Sequence, residues 1–168
     1  MNDVSKITGN NLGGLASIVF CPVDLVNSIP DPVQGSVLSS VIFQAGGRWF
    51  SFGHTFETLS FSQNKADSEQ GKHYEQVISG FLPNQSADLD WMFMEMEEKK
   101  HFLKVTDTNG HIFIIGRMEA GEKYGAAFSV EYNSQSKISG LKGYSFKFVL
   151  LSPERALYYN ISGSGSGS

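Results

Sequence analysis

The segment GYSFKFVL, residues 143–150, decides the fold class of this chain. Its large apolar side chains fall at every second position: Tyr144, Phe146, Phe148 and Leu150. A period of two is typical of a strand with one buried and one solvated face. The segment therefore predicts a long antiparallel strand.

Further strands are predicted upstream of this segment from apolar or alternating runs, at Ala16–Cys21, Val37–Gln44, 49–52, Leu59–Asn64, Tyr74–Phe81, Phe102–Thr106, His111–Gly116 and 128–132. Asn109-Gly110 joins two of them and is a strong hairpin signal. Residues 65–72 are polar, charged or small and predict a long solvated loop between antiparallel strands. Ala156–Ile161 is expected to be an apolar tail.

One helix is predicted, with Ser86 as its N-cap. Its apolar stripe has the spacing i, i+3, i+4, i+7 of one buried face: Leu89, Met92, Phe93 and Met96. Trp91 and Met94 project from other faces, because each residue turns about 100°. Two interpretations follow: the helix is sunk deeply between sheet and loops, or Trp91 and Met94 contact a neighbouring subunit.

The 168 residues fit one domain of ordinary size. We expect a flexible N-terminal arm over residues 1–14, a single β-rich domain over 15–161 and a Gly/Ser tail over 162–168. The predicted fold class is α+β, mostly β. It is an antiparallel β-sandwich or partly closed barrel with one flanking helix.

Composition narrows the function classes. The net charge is −4, and no Lys/Arg cluster exceeds two adjacent residues, so a nucleic-acid interface is not expected. Cys21 is alone, which excludes an internal disulfide and is typical of a small buried residue. No secretory signal and no apolar run of membrane-spanning length are visible, so we expect no membrane partner.

The sequence offers no recognisable catalytic constellation. The four histidines are far apart in sequence and none pairs with a Cys or His at ligand spacing. No Gly-x-Ser-x-Gly, Gly-x-Gly-x-x-Gly or phosphate-loop motif is present. We therefore expect no catalytic, cofactor-binding or metal residues, no cofactor and no enzymatic activity. A structural or binding role is favoured.

The order of elements from Leu59 to Tyr159 resembles that of small tail-associated structural proteins of phages and prophages, particularly those infecting Bacteroidetes. The matching segments run through the hairpin and the later strands: Phe61–Asn64, Tyr74–Leu82, Leu103–Asp107, Asn109-Gly110, Ile112–Gly116, 128–130, Gly143–Phe148 and Ala156–Tyr159. The first 58 residues add little to this resemblance.

The resemblance implies a tail-tube-like fold that self-assembles into rings forming a conduit for DNA. The partners would be copies of the chain and other tail or neck proteins, with DNA only as passing cargo. The protein would be assembled in the host cytoplasm and would then form part of the virion. Gln63–Lys72 would bridge the rings or face the lumen. The subunit interface would contain Trp91, Met94, Gln63, Lys65, Asp67, Glu69, Tyr158 and Tyr159.

Two other function classes remain open. A carbohydrate- or ligand-binding β-sandwich would gather exposed aromatic residues on one concave face, with Trp49, Phe50 and Tyr144 as candidates. The other alternative is a tube protein of a bacterial contractile injection system, whose physical properties would be similar to those of a phage tail protein. Tube, tube-terminator and neck-ring roles are not distinguished by the sequence.

Overall fold

The computed structural model describes residues 13–55, 57–68, 71–83, 85–133 and 142–161. Residues 1–12 of the predicted arm, Glu69 and the Gly/Ser tail lie outside them. The described part is mostly β with one α-helix, which confirms the fold class.

Within these described residues, fourteen strands and one α-helix follow one another. In order they are β1 (Leu15–Pro22), β2 (Val26–Ser28), β3 (Ser36–Val37), β4 (Ile42–Phe43), β5 (Phe50–Ser51), β6 (Ser60–Ser68), β7 (Gly71–Pro83), α1 (Ala87–Glu97), β8 (Lys100–Asp107), β9 (Ile112–Ile115), β10 (Arg117–Glu119), β11 (Glu122–Tyr124), β12 (Ala126–Asn133), β13 (Gly143–Ser152) and β14 (Leu157–Tyr159). A 3-10 turn, Val23–Leu25, joins β1 to β2.

The main sheet divides into two layers at β8. One edge of β8 pairs with β1, which in turn pairs with β5. The other edge pairs with β9 over residues 103–106 and with β12 only through Lys100 and His101. Beyond this fork, β9 continues to β14 and β3, whereas β12 continues to β13, β7 and β6. The result is a sandwich-like pair of layers.

Two apolar cores lie on opposite faces of the β1–β8–β9 layer. Leu103 and Val105 face the core between the layers, while Phe102 faces a second core beneath the N-terminal segment. Adjacent residues of a strand point to opposite faces, so β8 supplies both cores. Cys21 is fully buried in the second core, as the sequence predicts, and burial raises the pKa of its thiol.

The far ends of the two layers approach without pairing. The Phe61 ring of β6 lies 6.0 Å from the Phe113 ring of β9. Gln63 Oε1 accepts a hydrogen bond of 2.7 Å from the Ala156 backbone N–H. Within the described ranges no strand ladder closes the barrel at this seam, so side-chain contacts hold it together.

Helix α1 covers the end of the first core. Ser86 Oγ accepts from the Leu89 N–H at 3.2 Å, which confirms the predicted N-cap. Phe93 and Met96 are buried, but Met92 is 38% exposed, so the predicted stripe is narrower than its spacing implies. The Tyr144 hydroxyl donates to Asp90 Oδ1 and ties the helix to β13.

Three predictions about connecting segments are wrong. Residues 65–68 and 71–72 are strand rather than loop, because β6 and β7 pair continuously from Ser60↔Ser79 to Ser68↔Gly71, and residues 69 and 70 of the predicted loop lie outside the described residues. Val37–Gln44 is not one strand: Val37 pairs with β14 and Ile42 with β2, so the chain leaves one sheet for another. Ala156–Ile161 is not a tail, because β14 inserts between β9 and β3.

Candidate assembly surfaces

The outer face of α1 carries two exposed apolar side chains. Trp91 is 65% exposed and Met94 is 60% exposed. The helix is therefore not sunk between sheet and loops at these positions. Exposed Trp and Met side chains are enriched at protein interfaces. Of the two interpretations, contact of Trp91 and Met94 with a neighbouring subunit is compatible with this arrangement.

An apolar slot lies along one flank of α1. It has a volume of about 180 Å³ and is lined mainly by side chains of β1, β5 and the helix: Phe20, Leu25, Phe50, Met92, Met96 and His101. Glu95 and Lys99 stand at its border. The slot therefore combines an apolar floor with a charged rim.

His101 is a fully buried residue of the slot wall. Its Nε2 lies 2.9 Å from the Met96 carbonyl oxygen. A carbonyl only accepts, so Nε2 carries the proton, and burial lowers the pKa of the ring. Nδ1 is then an unprotonated acceptor that has no hydrogen-bond partner among the described residues. A buried acceptor without a donor is costly.

The β6–β7 hairpin extends past the rest of its layer. β13 pairs with β7 only as far as Tyr74, whereas β6 follows β7 to Gly71. Three residue pairs therefore protrude: Ala66↔His73, Asp67↔Lys72 and Ser68↔Gly71. At about 3.4 Å per residue the protrusion is roughly 10 Å long.

The hairpin residues predicted to form an interface occupy different environments. Lys65 and Asp67 form an ion pair of 3.5 Å, with side chains 45% and 69% exposed. An exposed pair of this kind contributes little to stability. Gln63 instead lies at the seam, where its side-chain amide oxygen accepts a hydrogen bond from the backbone N–H of Ala156. Lys65 and Asp67 are thus exposed to solvent, while Gln63 forms a hydrogen bond within the subunit.

The two tyrosines of β14 lie on opposite faces. Tyr158 is 45% exposed and its ring lies 4.7 Å from that of Phe113, beside the seam. Tyr159 is 7% exposed and belongs to the second core. The prediction that Tyr159 lies at a subunit interface is therefore wrong, because the alternation of β14 turns it inward.

The outer face of β7, β12 and β13 forms a shallow trough of about 380 Å³. Its lining is mostly hydroxyl-bearing or charged and includes Ser79, Phe81, Ser129, Glu131, Ser145 and Lys147. The aromatic residues expected for ligand binding are not gathered here. Tyr144 is buried in the first core, and Trp49 packs against Phe43 at a ring distance of 5.5 Å.

Within the described ranges no three His, Cys, Asp or Glu side chains cluster closely enough to hold a metal ion. The same part of the chain has no helix of sufficient length and apolarity to cross a membrane. Comparison with known proteins finds no protein-family model, no curated protein and no solved structure that matches this chain with significance. Function is therefore inferred from the surfaces described above.

Sequence reasoning missed the slot and His101. The slot brings together β1, β5 and α1, which are distant in sequence, so no local sequence pattern predicts it. His101 stands at the start of an apolar strand, next to Phe102 and Leu103. That position was the one available signal that this histidine is buried.

Proposed function

We propose that this chain is a structural subunit that self-assembles into rings, as a tube or tube-associated protein of a phage tail. The observation that carries the proposal is the edge strand β6. It is nine residues long, and among the described strands only β7 pairs with it. An unpaired strand edge is a template for pairing with another chain. Phe61 and Gln63 contact β9 and Ala156 at the seam, so residues 64–68 supply the part of the β6 edge that lies beyond the seam.

The protruding end of the hairpin supports the same proposal. Its roughly 10 Å reach carries Asp67 away from the body of the subunit, and Lys65, the ion-pair partner of Asp67, lies at its base. A projection of this kind allows contact with an adjacent copy without any change in the core. When such contacts are heterologous and their rotation closes, they generate a ring. Stacked rings would give the conduit for DNA that the sequence resemblance implies.

Shortening the hairpin tests this proposal. Residues 66–73 are replaced by Asn-Gly, so that Lys65 and Tyr74, which already face each other, are joined by a two-residue turn. Pairing of β7 with β13 is retained, because it begins at Tyr74. We expect a folded subunit that no longer forms rings in negative-stain images.

The matched control is the double variant Lys65→Ala, Asp67→Ala, which keeps the hairpin at full length. Ring formation by this control, together with its loss in the shortened chain, supports a role for the projection itself. Rings formed equally well by the shortened chain contradict the proposal.

A second candidate is binding of a carbohydrate or another polar ligand in the trough on β7, β12 and β13. Its hydroxyl and charged lining suits a polar ligand, and Phe81 provides one aromatic surface. Glycan-array binding that is lost in Glu131→Ala and Lys147→Ala would support it. A monomer that binds glycans and forms no rings would replace the first proposal with this one.

A further inference from the structure

We propose that two copies of this chain pair edge to edge along β6, antiparallel, in the register that sets Ala66 opposite the partner subunit's Ala66. This pairing deepens the proposed function, on which it rests for the use of β6 as an assembly edge, and it gives that edge its partner and its register. Two observations carry it: the unpaired edge of residues 64–68 and the opposite charges of Lys65 and Asp67.

The outer edge of β6 is open over residues 64–68. In the described part of the chain, β7 is the one strand that pairs with β6, and it occupies the other edge. The seam contacts of Phe61 and Gln63 end before this stretch, and none of residues 64–67 is buried. Antiparallel pairing over the five residues would be about 14 Å long. It would join the β12–β13–β7–β6 layers of the two copies into one continuous antiparallel sheet.

Backbone geometry restricts the register of such a pairing. Along an antiparallel strand, successive residues direct their N–H and C=O groups alternately towards one neighbouring strand and the other. A residue with outward groups must therefore face a partner residue whose groups also point outward. In two identical antiparallel strands the numbers of facing residues have a constant sum, so this sum must be even. Within residues 64–68, the registers that pair three or more residues of each copy are centred on Lys65, Ala66 or Asp67.

Charge selects the register centred on Ala66. The other two set two lysines or two aspartates directly opposite each other, and opposed like charges destabilise a sheet. The Ala66 register sets Lys65 opposite the partner subunit's Asp67 twice, once for each copy, and it pairs all five residues. Charged side chains on an edge strand usually prevent pairing. Here their signs and spacing oppose two registers and favour the third.

Cysteine cross-linking tests this register. In Ala66→Cys the two introduced thiols face each other across the two-fold axis, where opposed side chains are close enough for a disulfide. Asn64→Cys is the matched control on the same face of β6. It lies about 14 Å from the partner subunit's Asn64, beyond the reach of a disulfide. The natural thiol of Cys21 is fully buried. Under mild oxidation we expect a disulfide-linked dimer from Ala66→Cys and monomer from Asn64→Cys on non-reducing gels.

A charge exchange between copies tests the ion pairs. The contact is small, so we expect a weak dimer, measured by sedimentation velocity over a wide concentration range. Lys65→Asp and Asp67→Lys should each weaken it about 10-fold, because both opposed pairs become like-charged. An equimolar mixture of the two variants should recover the dimer, which an effect confined to one subunit would not produce. The matched control Lys147→Asp makes the same change of charge at an exposed position of β13 and should leave the dimer unchanged.

Circular dichroism confirms that every variant is folded. The inference is overturned by a chain that stays monomeric at every concentration, by equal cross-linking of Asn64→Cys and Ala66→Cys, or by a mixture of the charge variants that recovers no dimer. Rings without the Ala66→Cys cross-link would overturn this pairing and leave the proposed function standing. A cross-linked dimer without rings would support the pairing and contradict the proposed function, because a two-fold contact closes at two copies.

Discussion

Phe52 is the centre of the core between the two layers, and its replacement by Ala gives the sharpest test of the packing. The residue is 6% exposed. Its ring lies within 6.2 Å, centroid to centroid, of five other aromatic rings. They come from β1, α1, β12 and β13: Phe20, Phe93, Phe128, Phe146 and Phe148. Phe52 therefore joins the helix to both layers.

The expected loss follows from these contacts. A buried Phe→Ala change costs about 3–5 kcal/mol, through lost transfer free energy and the cavity left behind. Relaxation is limited here, since rigid rings surround the site, so we expect about 4 kcal/mol for Phe52→Ala. For a chain of this length the melting temperature should fall by roughly 8–16 °C.

Urea and thermal unfolding followed by circular dichroism measure this loss. Phe81→Ala is the matched control, because Phe81 is half-buried on the outer face of the same layer. We expect the control to lose about 1 kcal/mol. Equal losses in the two variants would refute the assignment of Phe52 to the centre of the core.

Two further variants test the attachment of α1. Tyr144→Phe removes the hydrogen bond to Asp90 and should cost about 1–2 kcal/mol in urea unfolding. Burial and then the Asp90 carboxylate raise the pKa of Tyr144 from 10.0 to about 12. The folded state therefore favours the neutral phenol, so the free energy of unfolding of the wild type should fall as pH rises from 10 towards 12. The fall should be smaller in Tyr144→Phe, which has no phenol at this position. Identical alkaline profiles of the two proteins would contradict this. Ser86→Ala should cost about 1 kcal/mol by loss of the N-cap, whereas Ser86→Asp should retain stability.

Local signals in the sequence predicted the elements that depend on few residues. The alternation over residues 143–150 identified β13, and Ser86 marked the start of α1 because capping involves only the first turn. Asn109-Gly110 identified the β8–β9 hairpin, which forms by local pairing. The fold class followed from these elements together.

The failures concern long-range partners. None of the described residues of the protruding strand ends, 66–67 and 71–73, is buried, so these strand ends lack the apolar alternation that identifies half-buried strands. Tyr159 is buried only because β14 pairs with β3 and β9, which are remote in sequence. The slot depends on the approach of β1 and β5 to α1. Periodicity within a segment cannot report which distant segment lies beside it.

The most direct test of the central claim, that this chain builds rings from copies of itself, is sedimentation velocity combined with negative-stain imaging of the purified protein. We predict closed oligomers larger than a dimer, visible as rings with a central opening. A species of 18.4 kDa at every concentration, with no ring in the images, would contradict the claim.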